Sequence, residues 1–335
     1  MIKMKHFTYY YFSLLFLVIF QFQVFSQDEY LTQFYQNEGL INPSMTGGSN
    51  GQLHLRANTK QQWNSIAKPY KTSVFIIDKS TMANDNLSIG IGLILMADKA
   101  GNSNLKTKNV AANISVKIKT SVKNMLAAGV QVGWVQKNIS LDGLSWDAQY
   151  NGKFYDASLS TNEMSNTAPL NSIRLAGGLS YITNINRYNK FKLGVSGYHL
   201  TQNINSFYGN NADKLYSRYN LFASGELVIE NTNTSFLPSL LLQIQGPNLM
   251  LVGGILISYR IGLDSRNTRI NKSSAFMWGV HYRVGDAIIP SVHYEYRRKF
   301  KFGLSYDINL SKLTAASYVR GGFELSLNYF FGGGR

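Results

Sequence analysis

The chain has 335 residues, a length of one or two domains, and carries 33 Lys and Arg against 18 Asp and Glu, a formal charge of +15. Only 15% of residues are charged, 13% are aromatic and none is cysteine. These values exclude a disulfide scaffold, a thiolate zinc site and a cysteine nucleophile, and with 44% hydrophobic residues they exclude a disordered chain.

Residues 1–26 read as a secretory signal. Lys3 and Lys5 form the basic start, Phe12–Phe20 the apolar core, and Val24 and Ser26 the small-residue cleavage pattern before Gln27. A membrane helix needs about 20 apolar residues, and no other run in the chain approaches that length. Export removes the protein from any genome, so the basic charge is not read as a nucleic-acid footprint. Residues 27–50 mix Tyr30, Phe34 and Tyr35 with the turn residues Asn42-Pro43 and Gly47-Gly48. That composition predicts a plug folded into a barrel mouth or lumen, with a periplasmic tail as the other reading.

From 51 to 331 the dominant pattern is alternation. Leu87, Ile89, Ile91, Leu93 and Leu95 share one face; Ser88, Gly90 and Gly92 share the other. Val110, Ala112, Ile114, Val116 and Ile118 alternate with Asn109, Asn113, Ser115, Lys117 and Lys119. Similar runs occur at 125–137, 301–310 and 321–331. Side chains of a strand point to opposite faces with period two, so each run has a greasy and a wet face. The runs are about ten residues long, the length that crosses a bilayer at a tilt, whereas strands of soluble sandwiches average about five or six. A bilayer cannot satisfy an open sheet edge, so the strands must close.

The pattern predicts an all-β fold: a transmembrane antiparallel β-barrel of about 14 strands with both termini periplasmic. The predicted strands are 51–63, 70–79, 86–97, 107–119, 124–137, 171–183, 190–202, 215–230, 235–245, 249–260, 275–284, 288–297, 301–310 and 318–331, with twelve or sixteen strands as alternatives. The 138–170 connection is then a long extracellular loop. Short periplasmic turns lie at 120–123, 184–189, 231–234 and 298–300, and 261–274 is long for that side. Localisation follows as the outer membrane, with outer-membrane lipid around the barrel.

Sites of chemistry are sparse. His281 and His293 fall on neighbouring strands with Arg283, Glu295 and Arg297 on the lumen side, which suits either a metal or acid/base pair or a hydrogen-bonded network. No zinc-protease, nucleophile-elbow or phosphate-loop motif occurs. Gly177-Gly178, Gly253-Gly254 and Gly321-Gly322 read as bends and bulges in a curved sheet. No catalytic residue, cofactor or metal is assigned. The 138–170 loop holds Trp146, Tyr150, Phe154 and Tyr155, residue types that dominate interfaces, although such a loop can also pack on its own barrel. Arg266, Arg269, Lys272, Arg297, Arg298 and Lys299 form a basic periplasmic rim, either a solubilising edge or a docking face for an acidic partner.

Several motifs resemble one family. QDEYLTQFYQNEGLINPSMTGG at 27–48 resembles the opening of PorP/SprF proteins of the type IX secretion system of Bacteroidetes, through Gln27, Asp28, Gln33 and Phe34 and then Leu40, Asn42, Pro43 and Gly47. QWNSIAKPYKT at 62–72, LDGLSWDAQYNGKFYD at 141–156, GLSYDINLSKL at 303–313 and GGFELSLNY at 321–329 are similar to later family segments. Ser44-Met45-Thr46 and the tail Gly332–Arg335 depart from the pattern. The resemblance implies a non-enzymatic outer-membrane component of type IX secretion or gliding, supporting secretion or surface anchoring of cargo adhesins. It implies as partners the C-terminal domain of secreted cargo, the translocon and a periplasmic ring of lipoproteins. The alternative is a fatty-acid-transporter-like channel for hydrophobic small molecules.

Overall fold

Each alternating run becomes one strand because pairing on both sides satisfies its backbone while its two faces meet different surroundings. The structure is a computed structural model, and it describes residues 28–48, 53–63, 68–101, 104–140, 144–161, 168–186, 188–202, 207, 214–262, 273–311, 314 and 320–331. Its strands are β1 (Leu53–Gln62), β2 (Tyr70–Met82), β3 (Leu87–Ala100), β4 (Leu105–Lys119), β5 (Asn124–Asn138), β6 (Leu170–Asn184), β7 (Lys190–Tyr198), β8 (Arg218–Val228), β9 (Thr234–Gln245), β10 (Asn248–Ile261), β11 (Ser274–Arg283), β12 (Ala287–Tyr296), β13 (Phe300–Asn309) and β14 (Arg320–Phe331). Every strand pairs antiparallel with its chain neighbours, and β1 pairs with β14 from Leu53↔Phe331 to Gln62↔Gly322, which closes the barrel. The signal residues 1–26 and the tail 332–335 lie outside the described residues.

Most strand ends fall within a few residues of those predicted. The seventh strand is the exception: it stops at Tyr198 rather than 202. His199 and Gln202 hold φ of 56° and 43°, left-handed values that extended backbone does not take.

The wet and greasy faces sort as the period requires. Ile114 is 53% exposed and Leu304 46%, while Asn113 and Ser305 beside them are 2% and 1% exposed. One rim bears the start of β1, the end of β14 and the connections 83–86, 120–123, 185–189, 229–233, 262–273 and 297–299. This is the terminal rim. The opposite, loop rim bears 63–69, 101–104, 139–169, 199–217, 246–247, 284–286 and 310–319.

Residues 28–48 run through the lumen from the loop rim to the terminal rim. Asp28 meets Arg218 at the loop-rim end of β8, at 3.1 Å. Twenty residues on, the Gly48 carbonyl accepts from Lys117 Nζ near the terminal-rim end of β4, at 2.6 Å. The strands therefore begin and end at one rim, whereas Asp28 lies at the other. Along the way a one-turn helix, α1 (Glu38–Ile41), sits between 3-10 turns at Phe34–Gln36 and Pro43–Met45. Phe34 and Met45 are buried with Phe222, Leu241, Val252 and Ile289, and Leu31 is buried with Val74, Ile76 and Ile94. The apolar core of the molecule is this layer between segment and wall.

The two faces predict different mutational costs. Ile114→Arg on the outer wall should cost about 2–4 kcal/mol near the bilayer midplane, read as a shifted urea midpoint for folding into vesicles. Asn113→Arg should leave insertion intact and instead disturb residues 39–46. Equal effects of the two on insertion would contradict the assignment of faces.

Candidate functional site

The site is built from the lumen outward to the two mouths. At its centre, Glu324 on β14 accepts from the Thr32 amide at 2.5 Å, from the Gln33 amide at 3.3 Å and from Asn58 Nδ2 at 3.0 Å. Gln33 Nε2 donates to Ser305 Oγ at 3.2 Å and to the Glu324 carbonyl at 3.0 Å, while its Oε1 accepts from Ser326 at 2.7 Å. Asp307 receives Thr32 Oγ1 at 3.0 Å and Arg283 at 2.9 Å, with Lys60 at 3.6 Å. Tyr30 lies between two of these cations, with Lys60 Nζ 4.0 Å and Arg283 4.8 Å from its ring centre. Burying such charges is tolerable only because each has partners.

Asn42 anchors the next turn. Its Nδ2 donates to the carbonyls of Leu179 and Val195 at 3.0 and 2.9 Å, and its Oδ1 accepts from the Ser44 amide at 3.0 Å. Thr46 is held by Asn113 Nδ2 at 3.0 Å and Ser115 Oγ at 2.9 Å. The wall opposite this turn is glycine. A Cβ on Gly129 would lie 2.4 Å from the Pro43 carbonyl carbon, one on Gly178 2.1 Å from Asn42 Oδ1, and one on Gly90 2.4 Å from the Thr46 carbonyl oxygen. Gly178, read from the sequence as a bend, is a seat for the plug. The readable signal is a glycine on the wet face of a strand.

The two ends are held by charge. Asp28 pairs with Arg218 and with His199 Nε2 at the loop rim. Glu38 pairs with Lys192 at 2.7 Å toward the terminal rim. Burial alone would raise both carboxyls; Arg218 and His199 around Asp28, and Lys192 beside Glu38, outweigh it and hold both below the ordinary carboxylate range.

His281 and His293 belong to this network. Tyr35 stacks on His281 at 4.5 Å between centres, and its hydroxyl lies 3.1 Å from His293 Nε2. His293 Nδ1 meets Gln36 Nε2 at 3.0 Å, and His281 Nε2 meets Ser239 Oγ at 2.8 Å. Both rings grip the plug, and no group of three or more metal-ligating side chains forms among the described residues. Arg297, grouped with them by sequence, instead lies in the exposed β12–β13 turn.

The mouths carry the remaining predicted residues. Within the 139–169 connection, residues 147–156 fold on Gln149, whose backbone carbonyl accepts from the Asp156 amide at 2.8 Å. Tyr150 bridges to Tyr155. Tyr150, Phe154 and Tyr155 stand 59%, 62% and 51% exposed; Trp146 is half-buried. The loop thus presents three of the four aromatics together. At the terminal rim, Arg297 and Arg298 form a tight turn with φ of 50° and 53°, closed by the Lys299 amide on the Tyr296 carbonyl at 2.9 Å. Turns of this kind favour Asn-Gly, so two arginines are an unfavourable local choice. Lys299 is exposed beside them. Arg266, Arg269 and Lys272 lie outside the described residues.

Comparison with known proteins adds two findings. The family described as type IX secretion system membrane protein PorP/SprF matches residues 23–329. Among solved structures, the chain is similar to the CymD monoaromatic hydrocarbon channel, with a TM-score of 0.52 at 12% identity over 89% of this chain and 93% of that one. It is also similar to the P. putida toluene transporter TodX, with a TM-score of 0.49 at 10% identity over 89% and 94%. At such identity the likeness concerns the fold alone. No curated protein matches the sequence. Fold and family together make this an outer-membrane β-barrel.

Gly178→Val should displace the Asn42 turn while leaving the barrel closed. Heat-modifiable gel mobility should persist, and protease should cut within 28–48, where the unaltered protein should resist; resistance in the variant would remove the glycine seat from the account. The charged ends set the pH response. Both carboxyls are lowered in the seated plug, so their contribution is complete above the unfolded values near 4 and is lost as pH falls through the lower seated values. Protease resistance should therefore hold at pH 5 and fail only in stronger acid. Release between pH 7 and 5 would show that these pairs do not hold the plug.

Proposed function

We propose that this chain, which belongs to the PorP/SprF family of type IX secretion system membrane proteins, is a non-enzymatic outer-membrane component that retains or helps to export secreted cargo through contacts at its mouths. The supporting observation is the occupied lumen, which the segment crosses from rim to rim beside a cavity of about 570 Å³ toward the terminal rim. Residues 28–48 occupy it along its length, so the barrel wall serves as a mount for two surfaces. The loop rim faces outward in this reading, as long connections do in outer-membrane barrels, and the strand termini face the periplasm.

Tyr150, Phe154 and Tyr155 supply the outward surface. Large amphipathic rings with little conformational freedom make effective anchors, and a folded loop holds them exposed before any partner arrives. The ligand assigned to them is the C-terminal domain of a secreted adhesin or enzyme, and the gliding machinery is one setting for such a role. Arg297, Arg298 and Lys299 supply the inward surface; Arg266, Arg269 and Lys272, grouped with them by sequence, lie outside the described residues. The assigned partners are the translocon and the periplasmic lipoproteins, met through acidic patches. Exposed pairs contribute about 0–1 kcal/mol each, so this rim orients more than it binds.

A channel for hydrophobic small molecules, the class to which CymD belongs, gains less support. The lumen wall is lined by buried Asn, Ser, His and charged side chains, a polar surface rather than an apolar ligand pocket.

The test is a deletion strain scored for cargo retained on the cell surface and cargo released to the medium. The unaltered gene should restore retention. Tyr150→Ala/Phe154→Ala/Tyr155→Ala should insert normally and release most cargo, since interface anchors cost about 2 kcal/mol or more when truncated. Arg297→Glu/Arg298→Glu/Lys299→Glu should instead reduce co-purification with periplasmic partners at low salt. If the aromatic triple variant retains cargo like the unaltered protein, the loop is not the holding surface.

A further inference from the structure

Four lysines break the apolar outer wall at one place. Lys71 on β2, Lys99 on β3 and Lys106 on β4 are direct partners across the sheet, Lys71↔Lys99 and Lys99↔Lys106. Lys108 follows on β4, opposite Ala97. All four occupy outward, exposed positions, alternating with the buried Thr72, Asp98 and Thr107 on the lumen side. Among the described residues, the one other Lys or Arg at an outward position of the loop rim is Arg320, exposed at the start of β14 opposite Ile308; the one further outward lysine is Lys79, near the terminal rim. No carboxylate takes an outward strand position anywhere in the described strands, and none of the four lysines has an ion-pair partner among the described residues. Like charges directly opposite destabilise a sheet, and neighbouring strands are only about 4.8 Å apart. The cluster therefore needs an anion from outside the chain.

The wall beside the lysines is indented. A concavity of about 1010 Å³ begins at Lys108 and crosses β3, β2, β1 and β14 to β11. Its floor at β1 is made of small outward side chains, Ala57 and Thr59, with Thr59 Oγ1 3.3 Å from Ser73 Oγ on β2. Its sides are large and apolar: Phe75, Leu95, Phe302 and Leu327. Snorkelling to any lipid surface would explain single lysines scattered around the rim. It does not explain four on three adjacent strands, at the head of the indentation, against the single Arg320 at the other outward strand positions of that rim among the described residues.

We infer that Lys71, Lys99, Lys106 and Lys108, with the adjoining concavity, bind a phosphorylated, multiply acylated glycolipid of the lipid A class, phosphates on the lysines and acyl chains in the indentation. The charge cluster selects a headgroup of more than one negative charge, and the wide apolar floor selects several chains. The assignment rests on the outward orientation of the loop rim, because such glycolipids occupy the outer leaflet. The barrel thereby carries its own annular ligand beside the seam where β1 meets β14.

Native mass spectrometry of the purified barrel in detergent, with diphosphoryl lipid A, dephosphorylated lipid A or phosphatidylglycerol as probe, tests the site independently of orientation. Lys71→Gln/Lys99→Gln/Lys106→Gln/Lys108→Gln should bind diphosphoryl lipid A at least ten-fold less than the unaltered protein, while Lys79→Gln binds it equally. Undiminished binding by the quadruple variant overturns the site. If that variant loses heat-modifiable mobility, competition on the unaltered protein decides. Preference for diphosphoryl lipid A over both other lipids supports the inference, and equal or tighter binding of either competitor overturns it. Impermeant labelling of Asn151→Cys on whole cells reads the orientation separately: no labelling there removes the glycolipid assignment even if the lysines bind phosphate.

Discussion

Everything in this molecule depends on the ten-residue pairing of β1 with β14. A sheet in hydrocarbon has no water to satisfy a free edge, so fourteen strands with one unpaired seam would be worse than no insertion at all. Closure in turn fixes an interior. With Ser, Asn and charged side chains on the inner face of strand after strand, that interior is polar, and its groups need partners as much as the edges do. The segment before β1 supplies them. Glu324 and Asp307 each accept from several donors drawn from both segment and wall, and Asn42 of the segment donates to two carbonyls of the wall.

Fit between segment and wall is set by absence of side chains as much as by their presence. Gly90, Gly129 and Gly178 lie on β3, β5 and β6, neighbours or near neighbours in the sheet, and each faces backbone or side-chain atoms of residues 42–46 too closely for a Cβ. Glycine within a strand lowers its stability. Placing several where one turn lies flat on the wall trades local strand stability for a close approach that no other residue allows. Met45 and Phe34 then fill the apolar gaps left between the polar contacts.

The sequence makes the barrel legible because period two is a local signal, repeated fourteen times and bounded by turns. Strand count, the long 139–169 connection and the lipid face of Ile114 or Leu304 all follow from it. The first and last motif segments are legible too: Gln33, Asn42 and Pro43, noticed for their pattern at 27–48, are buried anchors of the plug. What alternation cannot show is which wet-face glycine lies under a plug and which lies at a bend, since both read as small and inward. It also misses curvature across strands. Ala57, Thr59 and Ser73 look like weak lipid-face residues one strand at a time; only the register places them side by side as the floor of an indentation. The end of β7 is missed for a similar reason, because the left-handed turn at His199 is held by Asp28, a partner 171 residues away in sequence.

The plug is also a clasp. Glu324 on β14 takes hydrogen bonds from Thr32 and Gln33 of the segment and from Asn58 of β1. Lys60 of β1, the direct partner of Glu324 across the seam, leans toward Tyr30 and Asp307. One carboxylate thus joins the first strand, the last strand and the segment. Because the same segment is tied to Arg218 at one mouth and to Lys117 at the other, it braces the closure over the height of the barrel. A gate must leave its seat at small cost, and this one would open buried charges on both sides of the seam. The physical role of residues 28–48 is therefore to complete the wall, which leaves recognition to the rims and to the outer face.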